Sequence, residues 1–304
     1  MYVSTDTQRR VLAWYRKHGR SFPWRETRDP YRTLVAEVML QQTQTGRVGP
    51  IYGEFLERFP SIEALARAPA AEVIRAWRGL GYNRRAIALH VAAQIIAREH
   101  GGTVPDDPLV LRSLPGVGDY TAHAVACFAY GADVTVADVN VKRVLARAVH
   151  GREPRAVAPD KLARTIETWL PRGGAYLWNQ ALMDVGATLC RSASPLCGTC
   201  PMRRSCSWRM KGRTSSTPPR KKGERFEGSR RQARGRVIDH LRLAVEKGIT
   251  VKDLFTKLHP DGGGDASQFT EILLRLSDEG LLQLTPSARG GHPRGIVRLP
   301  VKTR

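Results

Sequence analysis

Residues 114–125 read Leu-Pro-Gly-Val-Gly-Asp-Tyr-Thr-Ala-His-Ala-Val. Gly116 and Gly118 stand where one helical pattern ends and the next begins. Such a turn leaves backbone N–H groups unpaired and free of side-chain obstruction, which is the environment that a phosphate group needs. An ordinary helix–helix turn is the alternative. The stretch therefore predicts a hairpin of two helices that can hold a phosphate without reading a base sequence.

Helical patterns flank this hairpin over residues 5–210, and long runs of alternating β-branched residues are almost absent. Asp29-Pro30 is typical of an N-cap followed by a first-turn proline, and predicts a helix over residues 31–42. We expect further helices over residues 51–59, 61–68, 70–79, 84–100, 120–130, 140–150, 160–170 and 175–188. The main body is therefore predicted to be all-α.

The composition changes beyond this helical body. Residues 209–236 are rich in Arg, Lys, Pro, Ser and Gly, and are predicted to form a basic linker because they cannot bury enough apolar surface to fold alone. Helices are then expected at 237–246, 251–258 and 266–279, and strands at 281–284 and 295–299. This order predicts a small winged-helix-like module over residues 237–304, and a helical packing appendage without DNA contact explains it equally well.

The 304-residue chain is strongly basic, with 49 Lys and Arg against 28 Asp and Glu and a formal net charge of +21. Such an excess usually serves a polyanion, so nucleic acid is the expected partner. A membrane surface also attracts positive charge, but the sequence has no apolar run of about 18 residues, and residues 1–20 lack the apolar core of a signal peptide. We expect a cytoplasmic protein, associated with the nucleoid in a bacterium, with no membrane partner.

Four of the five cysteines are crowded into one short segment with the spacing C-x6-C-x2-C-x5-C, namely Cys190, Cys197, Cys200 and Cys206. A secreted disulfide framework is not expected in a chain this long. Four thiolates can instead close around one tetrahedral zinc ion or one cubane cluster, and the cysteines alone leave both open. Cys127 lies in an apolar helical pattern and is expected to be a small core residue.

The hairpin and the cysteine segment together resemble the DNA glycosylases of the helix-hairpin-helix superfamily, in particular the endonuclease III and MutY groups. The resemblance implies a two-domain helix-hairpin-helix glycosylase fold with an iron–sulfur cluster loop, in which the four cysteines hold a [4Fe-4S] cluster. It implies a six-helix domain at 28–133 and a cluster domain formed by 1–27 with 134–208. DNA is expected in the cleft between the two domains, with Glu37 and Asp138 on opposite walls.

A glycosylase needs a proton donor for the departing base and negative charge beside the developing sugar cation. Glu37 interrupts the apolar run 34–40, where burial would raise its pKa and keep a proton available; a surface-facing helix glutamate is the alternative. The segment Glu37-Val-Met-Leu-Gln-Gln-Thr-Gln44 resembles the MutY signature. The resemblance implies that Glu37 protonates adenine and that Gln42 wedges into the base stack.

Asp138 stands at the start of a predicted helix in the string Val-Ala-Asp-Val-Asn-Val-Lys-Arg, where an N-cap role alone would explain it. The string resembles the catalytic-aspartate segment of the superfamily, which implies that Asp138 stabilises the sugar cation. Val139 departs from the Gly or Thr common in the family.

Two further residues follow on the same predicted helix. Asn140 is expected to position water or Asp138, or else to cap the helix. Lys142 is expected to contact DNA, where its amine can trap an imine.

Position 120 separates the subclasses, because bifunctional members carry there a lysine that forms a Schiff base and cleaves the strand. Tyr120 implies base removal without strand cleavage. Like Asn140, it is expected to position water or Asp138 as part of the catalytic site, and packing is its plainer role. Flipping a base out of the duplex leaves a gap. The loop Gly79-Leu-Gly-Tyr82 resembles the family loop whose tyrosine intercalates, although Asn83 replaces the usual second aromatic residue. Arg25, in Phe-Pro-Trp-Arg, is expected to read the flipped base, or else to serve N-terminal packing.

The sequence therefore predicts a monomeric MutY-type adenine glycosylase of base excision repair, which acts on double-stranded DNA with adenine mispaired with guanine or 8-oxoguanine. Removal of thymine from T:G mismatches is the nearest alternative, and the segment 41–44, Gln-Gln-Thr-Gln, argues against it. A non-enzymatic iron–sulfur redox sensor is the other alternative, and the matching contexts of Glu37 and Asp138 weigh against it. No Nudix-like domain is recognisable, so either the C-terminal module surveys DNA or recognition rests on the catalytic core.

Overall fold

The computed structural model describes residues 3–213, 226–244 and 247–301. The predicted all-α body is confirmed, because the described residues up to 213 form helices and no strand. The helices are α1 Thr5–His18, α2 Pro30–Leu40, α3 Thr45–Arg58, α4 Ile62–Arg67, α5 Ala70–Ala76, α6 Arg84–Glu99, α7 Pro108–Ser113, α8 Asp119–Phe128, α9 Val139–His150, α10 Pro159–Thr168, α11 Ala175–Asp184, α12 Ser207–Met210, α13 Arg230–Leu243, α14 Val251–Leu258, α15 Ala266–Asp278 and α16 Pro286–Arg289. The strands are β1 Ile249–Thr250, β2 Gln283–Leu284 and β3 Ile296–Arg298.

Helix α3 begins earlier than the sequence predicts. Its expected start at residue 51 follows Pro50, because proline disfavours a helix interior. The structure starts the helix at Thr45 and keeps Pro50 inside it. Three apolar residues of this helix, Val48, Tyr52 and Phe55, are buried at helical spacing. Their burial outweighs the hydrogen bond that the proline cannot donate.

The chain divides into two compact units. The first unit holds the described residues within 1–34, 106–113 and 117–219. Its core packs α1, α8, α9, α10 and α11 around buried side chains that include Leu145, Trp178 and Leu182. Helix α9 ends at Gly151, whose φ of 59° is the left-handed conformation that glycine adopts most easily. A π-helical turn, Val185–Leu189, follows α11 and leads into the cysteine segment.

The second unit holds residues 35–105 and 114–116 together with the described part of 220–304. Its C-terminal module, the described residues within 226–301, packs α13, α14 and α15 on a three-stranded antiparallel sheet of order β1-β3-β2. Val297 of β3 is opposite Ile249 on one side and Leu284 on the other. The winged-helix-like assignment and the domain boundaries stay predictions.

The predicted basic linker is only partly described, since its residues 214–225 lie outside the described ranges. Helix α13 begins at Arg230 instead of the expected residue 237, and therefore takes in the end of the predicted linker. Its N-cap is Ser229, whose side chain accepts a hydrogen bond from the backbone N–H of Gln232. Within the described ranges, no helix is long and apolar enough to cross a membrane.

Candidate active site

The hairpin joins α7 to α8 through two glycines with different requirements. Gly116 has a φ of 79°, and a Cβ there would lie 2.8 Å from the Cβ of Ala88, so both backbone and packing demand glycine. Gly118 precedes α8 and offers no side chain to cap it, and a Cβ there would meet nothing within 4 Å. The first turn of α8 thus begins beside open space. This is the arrangement that a backbone phosphate site needs.

Asp138 is the N-cap of α9, and its carboxylate is held at both oxygens. Oδ1 accepts a hydrogen bond from the backbone N–H of Val141 at 2.7 Å, and Oδ2 accepts one from Nδ2 of Asn140 at 2.7 Å. Burial raises the pKa of Asp138 above its ordinary value, although these hydrogen bonds oppose the shift. The Asp138 side chain therefore caps α9, and the two hydrogen bonds at the start of this helix fix the orientation of its carboxylate.

Asn140 is in turn fixed by an arginine that contacts the cysteine segment. Nη2 of Arg143 donates to Oδ1 of Asn140 at 2.7 Å and to the carbonyl oxygen of Gly186 at 2.7 Å. Nε of the same arginine donates to the carbonyl oxygen of Cys190 at 2.7 Å. A Cβ at Gly186 would lie 2.5 Å from the Cβ of Asn140, so this close approach requires glycine. Arg143 thus links the segment before Cys190 to Asn140, the side chain that orients Asp138.

The remaining predicted residues around α2, α8 and α9 differ in exposure. Glu37 belongs to the second unit and is buried in α2, with 6% of its surface exposed. Tyr120 is half-buried and packs against the core of the first unit, whereas Lys142 is exposed on α9. The surface-facing alternative for Glu37 is therefore wrong. Asp138, Asn140, Tyr120 and Lys142 all belong to the first unit.

The four clustered cysteines line one small pocket together with Arg147, Leu196 and Trp208. Burial raises the pKa of Cys190 and Cys206, and it raises that of Cys200 to about 12. Nη1 of Arg147 lies 3.6 Å from the Sγ of Cys190. Within the described ranges, no group of three or more Cys, His, Asp or Glu side chains is arranged to hold a metal ion. Cys127 is fully buried, as expected of a core residue.

Comparison with known proteins gives consistent matches. The model of the HhH-GPD superfamily of base excision DNA repair proteins matches residues 35–172. The adenine DNA glycosylase of Mycobacterium tuberculosis is 47% identical over 237 residues, which cover 77% of this chain and 78% of that protein. The chain belongs to this adenine DNA glycosylase family. The predicted family and enzyme class are thereby confirmed, since base excision glycosylases are hydrolases of N-glycosidic bonds.

Two further proteins that are similar to this chain are named as thymine glycosylases. A thymine/uracil-DNA glycosylase of Methanothermobacter thermautotrophicus is 34% identical over 210 residues, covering 68% of this chain and 93% of that protein. The solved structure of a thermostable thymine-DNA glycosylase is 33% identical with a TM-score of 0.62, covering 67% of this chain and 94% of that chain. The predicted helix-hairpin-helix glycosylase fold is confirmed.

Gln42 and Tyr82, the two side chains predicted to enter the base stack, share an uncommon backbone conformation. Among the described residues, they are the non-glycine positions with positive φ, at 56° and 46°. Tyr82 is 51% exposed, and Gln42 is also exposed. Residues held in such conformations cluster at binding and catalytic sites, because the surrounding structure must compensate for the strain.

Arg85 provides that compensation in this family member, and no pattern in the sequence indicates it. Its guanidinium donates hydrogen bonds of 2.6 to 3.3 Å to the carbonyl oxygens of Val38, Met39, Gln41, Leu80 and Gly81 and to the Thr43 hydroxyl. These acceptors include carbonyls at the C-terminal end of α2, which helix geometry leaves without partners. Burial lowers the pKa of Arg85 to about 10, so it stays protonated at neutral pH. One cation thus holds the Gln42 turn and the Tyr82 loop together.

We expect Arg85→Lys to reduce the free energy of unfolding by about 2 to 4 kcal/mol, because lysine keeps the charge but lacks the fork that serves several carbonyls. Urea denaturation measures the effect. Arg98→Lys, the same substitution at the exposed end of α6, is the matched control and should be neutral. Equal stability of the two variants would contradict the role given to Arg85.

Arg25 is bonded within the first unit. Its Nη1 and Nη2 donate to the Asp184 carboxylate at 2.9 and 3.0 Å, and Nη1 also donates to the carbonyl oxygen of Arg20 at 2.8 Å. Arg20 donates to the same carboxylate, whose side chain is fully buried. This bonding favours the packing alternative for Arg25, and a base contact stays a prediction. Sequence reasoning missed Asp184, which lies too far along the chain to be paired with Arg25 by pattern.

Proposed function

We propose that the protein excises adenine mispaired with guanine or 8-oxoguanine from double-stranded DNA by hydrolysis of the N-glycosidic bond. The observation that carries the proposal is the Asp138 carboxylate, fixed through both oxygens at the N-terminus of α9. The 47% identity to an adenine DNA glycosylase supports adenine as the base. We also propose that the protein acts as a monomer in the cytoplasm, associated with the nucleoid in a bacterium, and its net charge of +21 supports the contact with DNA.

The chemistry divides between two carboxyl groups. Glu37, buried in α2, is assigned the proton that the departing adenine needs. Asp138 is assigned the negative charge that stabilises the sugar cation as the bond from C1′ to the base breaks. Water then adds to C1′ and gives up a proton, which restores the acid. Asn140 keeps Asp138 oriented, and Tyr120 stands where bifunctional relatives carry a lysine, so position 120 supplies no amine for strand cleavage.

DNA contacts are assigned to the remaining predicted residues. The turn at Gly116 and Gly118 is assigned a backbone phosphate, since the start of α8 is open there. Gln42 and Tyr82 are assigned the gap in the base stack, and their strained, exposed conformations support this role. Lys142, exposed on α9, is assigned a DNA contact.

Cys190, Cys197, Cys200 and Cys206 are proposed to hold a [4Fe-4S] cluster. The donors suit the group in kind, although their side chains are not already drawn together as ligands: four thiols line one pocket, and Arg147 lies beside Cys190 with 1% of its side chain exposed. A cluster bound to four thiolates is net negative, so a buried guanidinium stabilises it. When bound, the cluster would fix the loop from which Cys190 contacts Arg143.

Metal analysis of the purified protein separates the cluster from structural zinc. Four iron and four acid-labile sulfide per chain would support the cluster assignment. One zinc per chain and no sulfide would support the alternative that the cysteine spacing left open.

The acidic limb of the pH–rate profile is expected to reflect Asp138, which must be ionised to stabilise a cation. Burial already raises its pKa, and the hydrogen bond from Asn140 lowers it. Asn140→Ala removes that hydrogen bond, so the pKa should rise further and the acidic limb of single-turnover excision should move to higher pH. Val139→Ala, at an exposed neighbour that donates no side-chain hydrogen bond, is the control. Superimposed acidic limbs in all three proteins would show that Asp138 does not control this step.

The products of an A:G duplex test the proposed reaction. Free adenine should appear while the strand stays intact until alkali is added, because Tyr120 offers no amine for strand cleavage. Strand breaks that form without alkali would contradict a monofunctional enzyme. Absence of any released base would contradict the proposal itself.

A further inference from the structure

A groove lined by arginines runs between α13 and the turn of residues 79–85, entirely within the second unit. Its walls include Arg47 of α3, Tyr82 and Arg84, and, from the C-terminal module, Phe226 and Arg231. We propose that this α13 groove binds the phosphate backbone of duplex DNA, so that the C-terminal module extends the DNA-binding surface beside Tyr82. The proposal deepens the proposed function, on which it rests for the identity of the polyanion.

The two walls of the groove are joined by a buried arginine. The side chain of Arg242 is 6% exposed; its Nε donates to the carbonyl oxygen of Ile74 at 3.0 Å, and its Nη2 donates to Oδ1 of Asn83 at 2.9 Å. Ile74 is itself part of the apolar core of the module, with Val237 and Leu241 of α13. Helix α13 is therefore packed on α5 through both apolar and polar contacts.

This contact also gives a structural reason for an unusual residue. Asn83 stands where the family pattern has a second aromatic residue next to Tyr82. Its amide oxygen accepts a hydrogen bond from the module, which an aromatic ring cannot do. The residue next to Tyr82 therefore serves as an attachment point of the C-terminal module. A DNA strand that contacts Tyr82 therefore passes close to α13.

The charges of the groove are of two kinds. Arg234 and Arg242 are satisfied internally, because they pair with Glu279 and Asp239. Arg47, Arg84 and Arg231 are exposed and make no ion pair with any described residue. Exposed guanidinium groups spaced along a groove suit phosphate oxygens, to which arginine donates two hydrogen bonds at once. The 62% exposed ring of Phe226 offers an apolar contact for deoxyribose beside them.

Equilibrium binding of an undamaged fluorescent duplex to the full chain, over a series of salt concentrations, tests the groove. The triple variant R47Q/R84Q/R231Q should weaken Kd by about tenfold or more near 0.1 M salt. It should also reduce the slope of log Kd against log salt by about 0.9 for each phosphate that the variant no longer neutralises. The matched control R98Q/K252Q/K257Q removes the same charge from exposed positions outside the groove, and should keep most of the wild-type slope.

Equal reductions in affinity and slope for the groove variant and its control would overturn the proposal, since they would show a general charge effect. A loss of affinity for single-stranded RNA without a loss for duplex DNA would overturn it too, because the groove would then serve another partner. The undamaged duplex contains no base to excise. Failure of adenine excision would therefore contradict the proposed function and leave this test of the groove intact.

Discussion

Asp138→Asn is expected to slow single-turnover base excision by about a thousandfold and to leave duplex affinity within about threefold of wild type. The amide keeps the shape of the side chain and can still accept the hydrogen bond from the backbone N–H of Val141. It carries no charge to stabilise the sugar cation. The loss should therefore be seen in the rate at saturating enzyme, and binding of an uncleavable duplex should be largely retained.

Asp160→Asn is the matched control, because Asp160 is an exposed first-turn aspartate of α10. It should excise at the wild-type rate. An Asp138→Asn protein that excises as fast as this control would contradict the role of the carboxylate and leave only its capping role. A variant that loses binding and excision together would indicate a folding defect, which a thermal unfolding curve identifies.

Asp184→Asn is expected to reduce the free energy of unfolding by about 3 to 5 kcal/mol, because it leaves two arginines without their buried counter-ion. Burial raises the pKa of Asp184, but the hydrogen bonds and charges of Arg25 and Arg20 outweigh burial and hold the pKa below its ordinary value. The ion pairs therefore stabilise the fold above the ordinary aspartate pKa of about 4, and this stabilisation is lost as pH falls. The difference between wild type and variant should shrink accordingly.

Urea denaturation at neutral and at acidic pH measures both effects. Glu167→Gln, at an exposed position on α10, makes a comparable loss of charge without a buried partner and should change stability little. A stability difference that is small at neutral pH, or that grows as the solution is acidified, would contradict the account of Asp184.

Local sequence signals predicted much of the fold. Helical periodicity indicated the all-α body, and the glycines at 116 and 118 indicated the hairpin. Asp138 and Asn140 lie two residues apart, so a local motif brought them together, and the structure joins them by a hydrogen bond. Their assigned roles in catalysis stay predictions until they are measured.

Contacts between distant parts of the chain could not be predicted in this way. Asp184 receives Arg25 from 159 residues away, and Arg242 reaches Asn83 across the same distance in sequence. Arg85 acts through backbone carbonyls, which every residue carries, so no acceptor side chain marks its partners in the sequence. Helix α13 begins early at Arg230, where the Ser229 side chain caps it by accepting a hydrogen bond from the backbone N–H of Gln232, and the basic composition of the predicted linker does not reveal this.

Single-turnover excision from duplexes carrying A:8-oxoguanine, A:G or T:G, each with and without alkali, distinguishes adenine removal from its alternatives. We expect strand breaks only from the two duplexes with mispaired adenine, and only after alkali. Breaks in the T:G duplex, with adenine left in place in the others, would contradict it and identify a thymine glycosylase. Silence on all three duplexes with intact DNA binding would contradict it as well and support a non-enzymatic sensor.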